Sequence, residues 1–344
     1  MIGPRVRLAR EACGFTQIQL AELTGITQGT LSDIECGQIS VPSENIVAQI
    51  ANATGFPEGY FCLGPLPDFP DGSWRKLKRG SSKVTAQIRA QSRHIAETMQ
   101  RLEPSVRLPP VLIHALLNGI DPGDAERIER VAQDTRHVLG IGSDDAVPNV
   151  CRAIERVGVL VAALPTPMPD HSGFSVWPDQ GLEGRPLIVV SSADPGDKMR
   201  FTLAHELGHL ILHTLRGSTD PKTAESEANR FAGALLLPRR AALRDIRIPV
   251  TLGTLAAVKQ IYGTSIAMNA KRSLDLSIID QNHFISLRKQ ISARGWTRVE
   301  PVEVPRENPI LIGRMLQAMG GEGSINRRAA NVNMNRFQFR ALVA

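Results

Sequence analysis

Apolar residues recur at helical spacing in short bursts through residues 1–62. Val6, Leu8, Ala9 and Ala12 mark a first helix, Leu20, Ala21 and Leu23 a second, and Leu31 and Ile34 a third. Thr16 and Thr27 stand where the second and third helices begin, and a threonine hydroxyl there accepts an otherwise unpaired backbone N–H. Gly25-Ile26 fits the tight turn of a helix-turn-helix, with Leu20, Ala21, Ile26, Leu31 and Ile34 filling its core. The pattern then stops. Residues 63–81, opening with Leu-Gly-Pro-Leu-Pro, read as a linker. Helices are expected across 82–146, the last from Asp124 to Leu139 with Ile128, Val131, Ala132 and Val138 turned inward.

Beyond residue 147 the spacing mixes two periods. A helix from about Pro148 to Glu155 leads into the apolar run Val157 to Ala163, a buried strand, and Gly173 to Trp177 and Pro186 to Val190 add two more. Asp194 is the expected N-cap of the next helix, with Pro195 at its first position and Asp197 in its first turn. Leu203, Leu207, Leu210 and Ile211 form its apolar stripe, to be buried on the sheet. Gly208, costly inside a helix by about 1 kcal/mol relative to alanine, points to the close approach of another backbone. Asp220-Pro221 starts a second helix and Pro238 stops it, with Ala224, Ala228, Phe231, Ala232, Leu235 and Leu236 buried. The unit 147–245 is thus expected to be α+β, its helices packed on one side of a short sheet. Leu252 to Tyr262, Ser265 to Leu276 and Ile285 to Arg298 continue a mostly helical region over 246–344. The fold class is therefore multidomain: an all-α N-terminal domain, the α+β unit and a mostly helical C-terminal region.

The first long helix of the α+β unit carries His205-Glu206-Leu-Gly-His209. Residues four apart share a helix face, so two imidazoles can converge on one tetrahedral Zn²⁺. Glu206 then lies beside the open coordination position, where it can take a proton from water. A third protein ligand is needed, and Glu225 on the following helix is assigned to it. Asn229, four residues on, is assigned to orient a metal-bound imidazole. Glu227 competes with Glu225 but points roughly 160° further round, and reads as a solvated helix charge.

These residues, with His213, the run Glu-x-x-x-Asn-x-Phe-Ala and Leu-Leu-Leu-Pro238, resemble the ImmA/IrrE family of gluzincin-like metallopeptidases. The resemblance implies His205, His209 and Glu225 as zinc ligands and Glu206 as general base. His213 fits the family pattern too, though by itself it reads as a helix-end histidine near the negative end of the dipole. In such a family an edge strand aligns the substrate peptide, and Phe174 to Trp177 is the candidate, unless it is interior. His171, a loop histidine, is the one conceivable oxyanion stabiliser.

The run Thr-Gln-x-x-Leu-Ala, Gly-Ile-Thr-Gln and Ile-Glu-x-Gly near the N-terminus resembles Cro/CI-type (XRE-family) DNA-binding domains. Such a fold lays the third helix in the major groove of double-stranded DNA. Gln28 could bond adenine bidentately, Thr30 touch a thymine methyl or phosphate, and Asp33 a cytosine amino group. Gly29 allows close backbone approach, Thr27 opens the helix, and Gln17 is placed for a phosphate. Charge qualifies this picture. The chain carries +6 overall, yet residues 1–62 hold only Arg5, Arg7 and Arg10 against six acids. Weak nonspecific affinity and a need for a homodimer follow, with protein interaction as the rival role for this domain. Arg75, Lys76, Lys78, Arg79 and Lys83 concentrate the basic charge and read as a solvated connector able to supplement phosphate contacts.

Cys13, Cys36, Cys62 and Cys151 form no C-x-x-C pair and read as reduced thiols. No charged-then-apolar leader opens the sequence and no run of eighteen apolar residues interrupts it, so a cytoplasmic protein with no membrane partner is expected. Taken together, the resemblances imply a transcriptional regulator whose zinc endopeptidase cleaves a helix-turn-helix repressor or antitoxin. The alternative is a repressor that senses a ligand or metal without proteolysis.

Overall fold

The computed structural model describes residues 2–66, 82–117, 124–166, 173–177, 184–215 and 220–343. His171 and the basic residues Arg75, Lys76, Lys78 and Arg79 lie outside them. Five helices open the chain: α1 (Gly3–Ala12), α2 (Gln17–Thr24), α3 (Gln28–Glu35), α4 (Glu44–Thr54) and α5 (Glu58–Phe61). Thr16 and Thr27 cap α2 and α3 through Gln19 N and Thr30 N, and Gly25 turns the chain between them at φ +72°. That conformation suits glycine, which lacks the Cβ that would clash there. Leu20, Leu31 and Ile34 are fully buried with Val6, Ile50 and Tyr60, while Ile26 is only partly covered.

A 21-residue helix, α6 (Ser82–Leu102), follows, then α7 (Ala125–Val138) and α8 (Val150–Arg156). Three strands come next: β1 (Leu160–Leu164), β2 (Gly173–Val176) and β3 (Leu187–Ser191). Their order is β1-β3-β2, with β3 parallel to β1 and antiparallel to β2. Among the described residues β2 is therefore an edge strand. Two long helices, α9 (Gly196–His213) and α10 (Pro221–Leu236), lie after the sheet, and then α11 (Arg239–Asp245), α12 (Leu252–Tyr262), α13 (Ile266–Asp275) and α14 (Gln281–Ala293). The chain closes with α15 (Leu311–Gly320), α16 (Ile325–Asn331) and α17 (Arg336–Val343).

The sheet is covered on both faces, which corrects the expected one-sided packing. Val161, Ile188 and Val190 pack with α9 in one core, and Leu160, Ala162, Phe174, Val176, Leu187 and Val189 pack with α6, α15 and α17 in another. The reason lies in β3, whose five residues are all buried. A strand buried at every position, four of them apolar, has no face to give to water.

The helix starts differ by a residue from expectation at α9, which begins at Gly196 with Pro195 as N-cap. Asp194 instead binds Lys198 Nζ at 2.8 Å. Asp197 in the first turn is buried against Lys259 Nζ at 2.6 Å, and the same ammonium binds Glu300 at 2.7 Å. Glu300 in turn accepts from Ile266 N at the start of α13. Charge, dipole and helix cap thus tie the N-terminus of α9 to the segment beyond α14. α10 keeps its expected Asp220 cap, accepting from Thr223 N, and its stripe is buried except at half-buried Ala224. All four cysteines are free thiols.

The N-terminal helices are clamped to the remainder. Arg5 Nη2 meets Glu97 Oε1 of α6 at 2.7 Å with both side chains buried. Asn335 Nδ2 donates to Thr54 O at 2.7 Å, and Arg336 N donates to Gly55 O. No helix among the described residues is long and apolar enough to cross a membrane.

Candidate functional site

α9 and α10 cross where the sequence has its smallest core residue. A Cβ on Gly208 would lie 2.8 Å from Cδ1 of the buried Phe231. The neighbour that Gly208 admits is therefore an aromatic side chain, and not the backbone that its presence suggested. Phe231 seated in this notch lets the two helices approach closely enough for their polar faces to share a site.

At that site His205 and His209 point Nε2 at one another across 3.0 Å. Glu225 of α10 brings Oε2 to 3.3 Å from His205 Nε2 and Oε1 to 3.6 Å from His209 Nε2. Among the described residues these three are a group whose ligand atoms lie within 4.8 Å of one another. The donors are two imidazoles and one carboxylate, the set that zinc takes in catalytic sites with a position left open. Glu225 is partly exposed, its side chain 45% accessible, so the position facing it opens to solvent.

Each imidazole is also held from behind. His205 Nδ1 lies 3.0 Å from Asn229 Oδ1, the contact expected for a group that orients the ring. His209 Nδ1 lies 2.9 Å from His213 Nδ1, and His213 Nε2 lies 3.0 Å from Glu227 Oε2. Two expectations are corrected here. Glu227 is buried, only 4% exposed, and contacts His213. His213 is likewise part of this chain of contacts, joining a donor of the site to a buried carboxylate. A helical wheel of α10 alone misses this, because the partner that covers Glu227 comes from the last turn of α9.

Glu206 is buried beside the donor group, with Oε1 at 4.0 Å from His205 Nε2. Its other oxygen accepts a 2.8 Å hydrogen bond from Ser175 Oγ of β2. Sequence reasoning missed Ser175. The alternation along β2 carries the signal: Phe174 and Val176 face the α6 side, so Ser175, paired with Ile188, faces α9. A groove of about 2010 Å³ is lined in part by Phe201, Glu225, Asn229, Phe284 and Trp296.

The residues expected to read DNA gather at the start of α3. Thr27, Gln28 and Gly29 are exposed, and Gln17, Thr30 and Asp33 half-buried. Gln28 Nε2 donates to Gln17 Oε1 at 3.0 Å, and Gln17 Nε2 donates to Glu35 Oε2 at 3.0 Å. Thr30 shares a 2.9 Å hydroxyl contact with Thr27. Arg7 pairs with Glu11 and Arg10 with Glu35, so acids already engage the arginines nearest this face. Lys83 of α6 reaches Gln19 Oε1 at 3.2 Å and adds a cation beside it.

No curated protein matches the chain. Two protein families do match parts of it. Residues 2–59 match the family described as a helix-turn-helix domain, and residues 154–272 match the M78 peptidases, described as an IrrE N-terminal-like domain. The second match spans the sheet, both long helices and α11 to most of α13, which brings every residue of the His205, His209 and Glu225 group inside it. The chain therefore joins an XRE-type helix-turn-helix domain at its N-terminus to an IrrE N-terminal-like domain of the M78 peptidase family.

Proposed function

We propose that this protein is a DNA-binding regulator whose M78-type domain is a zinc endopeptidase. The observation that carries the reading is the convergence of His205, His209 and Glu225 beside a buried carboxylate, Glu206, that is held by Ser175. His205, His209 and Glu225 would hold the metal. When bound, zinc makes water acidic enough to ionise near neutral pH and polarises a carbonyl oxygen. Glu206 receives the proton. Ser175 fixes one oxygen of that carboxylate and leaves the other facing the donor group. The edge strand β2 can align an extended peptide by adding it to the sheet, with Ser175 marking the point nearest the site.

The substrate on this reading is a protein, and a repressor or antitoxin with its own helix-turn-helix fits the pairing of the two domains. The helix-turn-helix supplies contact with a double-stranded operator through Gln17, Thr27, Gln28, Gly29, Thr30 and Asp33. The acidic balance of the domain favours binding as a homodimer, which doubles the contacts.

Two measurements test the enzyme half together. Elemental analysis of the purified chain should find about one zinc per chain. Glu206→Gln preserves the donor group, so its zinc content should equal that of the wild type while proteolysis of a helix-turn-helix repressor substrate falls at least ~10²-fold. A variant that keeps both zinc and regulation leaves the sensing repressor as the better account. For the DNA half, Gln28→Ala should weaken a specific operator by about 1–3 kcal/mol and leave scrambled duplex unchanged. Equal affinity of the wild type for both duplexes would assign this domain to protein contact.

A further inference from the structure

The contacts behind the two histidines differ in kind, and the difference bears on protonation. His205 is backed by a carboxamide oxygen, which can only accept. His209 is backed by another imidazole, which can accept or donate at Nδ1 according to its tautomer. Two Nδ1 atoms 2.9 Å apart share one proton, so one ring must give what the other takes. A ring that binds a cation through Nε2 needs a lone pair there, and a neutral ring then carries its proton on Nδ1. His209 fits that requirement only if His213 accepts at Nδ1 and keeps its own proton on Nε2. Glu227 Oε2 lies 3.0 Å from that Nε2, buried, and a carboxylate can only accept. The whole chain of contacts then has one direction: His209 donates to His213, and His213 donates to Glu227.

We propose that His213 and Glu227 are positioning residues that hold His209 in the Nδ1–H tautomer, with the Nε2 lone pair turned toward a divalent cation. This rests on the reading of His205, His209 and Glu225 as zinc ligands. Glu227 acts through two rings and His213 through one, and neither belongs to the donor group itself. Were residue 227 to donate, both rings would reverse and His209 would present Nε2–H to the site, closing it to a cation. The oxygen-only chemistry of Glu227 thus selects the state of a ring that it does not touch.

The test uses the full chain, stripped of metal and titrated with zinc against a chelating dye. His213→Phe keeps the ring volume and removes the acceptor, and should weaken zinc by about 10–100-fold. His213→Asn returns an acceptor oxygen near the position of Nδ1, as Asn229 does for His205, and should recover most of that loss. Glu227→Gln can donate as well as accept, and should weaken zinc while letting the reversed tautomer appear. Imidazole ¹⁵N spectra of the metal-free chain read that tautomer directly: the wild type should show His209 protonated at Nδ1, and Glu227→Gln a mixture. Should His213→Phe fail to fold, Glu227→Gln and the spectra decide the matter. Wild-type zinc affinity in all three variants would overturn the proposal, as would His213→Asn as weak as His213→Phe, or His209 protonated at Nε2 in the wild type. Absence of zinc binding in the wild type would instead remove the zinc reading beneath it.

Discussion

Ser175 is the residue that holds Glu206 and that the sequence leaves anonymous. A serine in a four-residue strand carries no motif, and its relation to Glu206 depends on β2 pairing antiparallel to β3 in one register. A slip of one residue would turn Ser175 to the opposite face and put an apolar side chain against the carboxylate. Ser175→Ala should keep the fold and the metal donors and lower peptidase turnover by about tenfold, the rate equivalent of one modest hydrogen bond. Turnover equal to the wild type at saturating substrate would show that Glu206 is oriented without it. The shared face of His205 and His209, by contrast, was legible from spacing, because four residues on a helix fix it whatever surrounds it. Glu225, on the next helix, was singled out only by the need for a third donor, and the fold brings it to the pair. Glu227 and His213 were not. Their meaning comes from the pairing of the last residue of α9 with the second turn of α10, 14 residues apart in sequence and 3.0 Å apart in space.

At the scale of elements, the helices were readable from their caps. Thr16, Thr27, Asp124 and Asp220 each accept from the backbone three residues on. The α9 start was displaced because Asp194 is engaged by Lys198, while Pro195, lacking an N–H, stands as the cap. The two-sided cover of the sheet was hidden for another reason: helices that precede and follow the sheet by long stretches of chain supply the second face, and apolar spacing within one segment does not say which distant segment will meet it. The α9–α10 crossing makes a sharper claim. Gly208→Ala gains about 1 kcal/mol in helix propensity. It also pushes a methyl group into Phe231, whose ring is fully buried and has nowhere to retreat. Overpacking of this kind costs about 1–3 kcal/mol, so denaturant melts should show net loss. The double variant with Phe231→Leu should recover part of it. A Gly208→Ala chain as stable as the wild type would mean that the helices separate without cost.

Across the molecule, a buried junction joins the N-terminal helices to α6 and α17, with His94 at its centre. The imidazole packs against the rings of Phe56 and Tyr60, 4.7 and 5.1 Å from them, and Nε2 accepts from Asn335 N. Burial, aided by the charges of Arg101 and Arg5, pulls its pKa from 6.5 down to about 3. Above pH 6.5 folded and unfolded chains both hold it neutral. As pH falls below that value the unfolded chain takes the proton and the folded chain does not, so stability declines toward about pH 3. The decline is at most about 1.4 kcal/mol per pH unit. His94→Gln should flatten the slope of melting temperature against pH between 6.5 and 4, whatever it does to stability at neutral pH. An unchanged slope would place the acid sensitivity elsewhere.

The contact between Asn335 and Thr54 also has a consequence in time. The two residues are 281 positions apart, yet one donates to the other's carbonyl. A ribosome adding roughly 5–20 residues per second takes roughly 15–60 seconds to cover that distance. Late in that interval the helix-turn-helix has emerged and can pack on its own core, with Cys13 Sγ donating to the Thr54 carbonyl, while the Asn335 amide has yet to arrive. Its final seat becomes complete only when Asn335 leaves the exit tunnel. A nascent chain therefore presents its N-terminal helices in a looser setting than the finished protein does, and any variant truncated before Asn335 is fixed in that earlier condition.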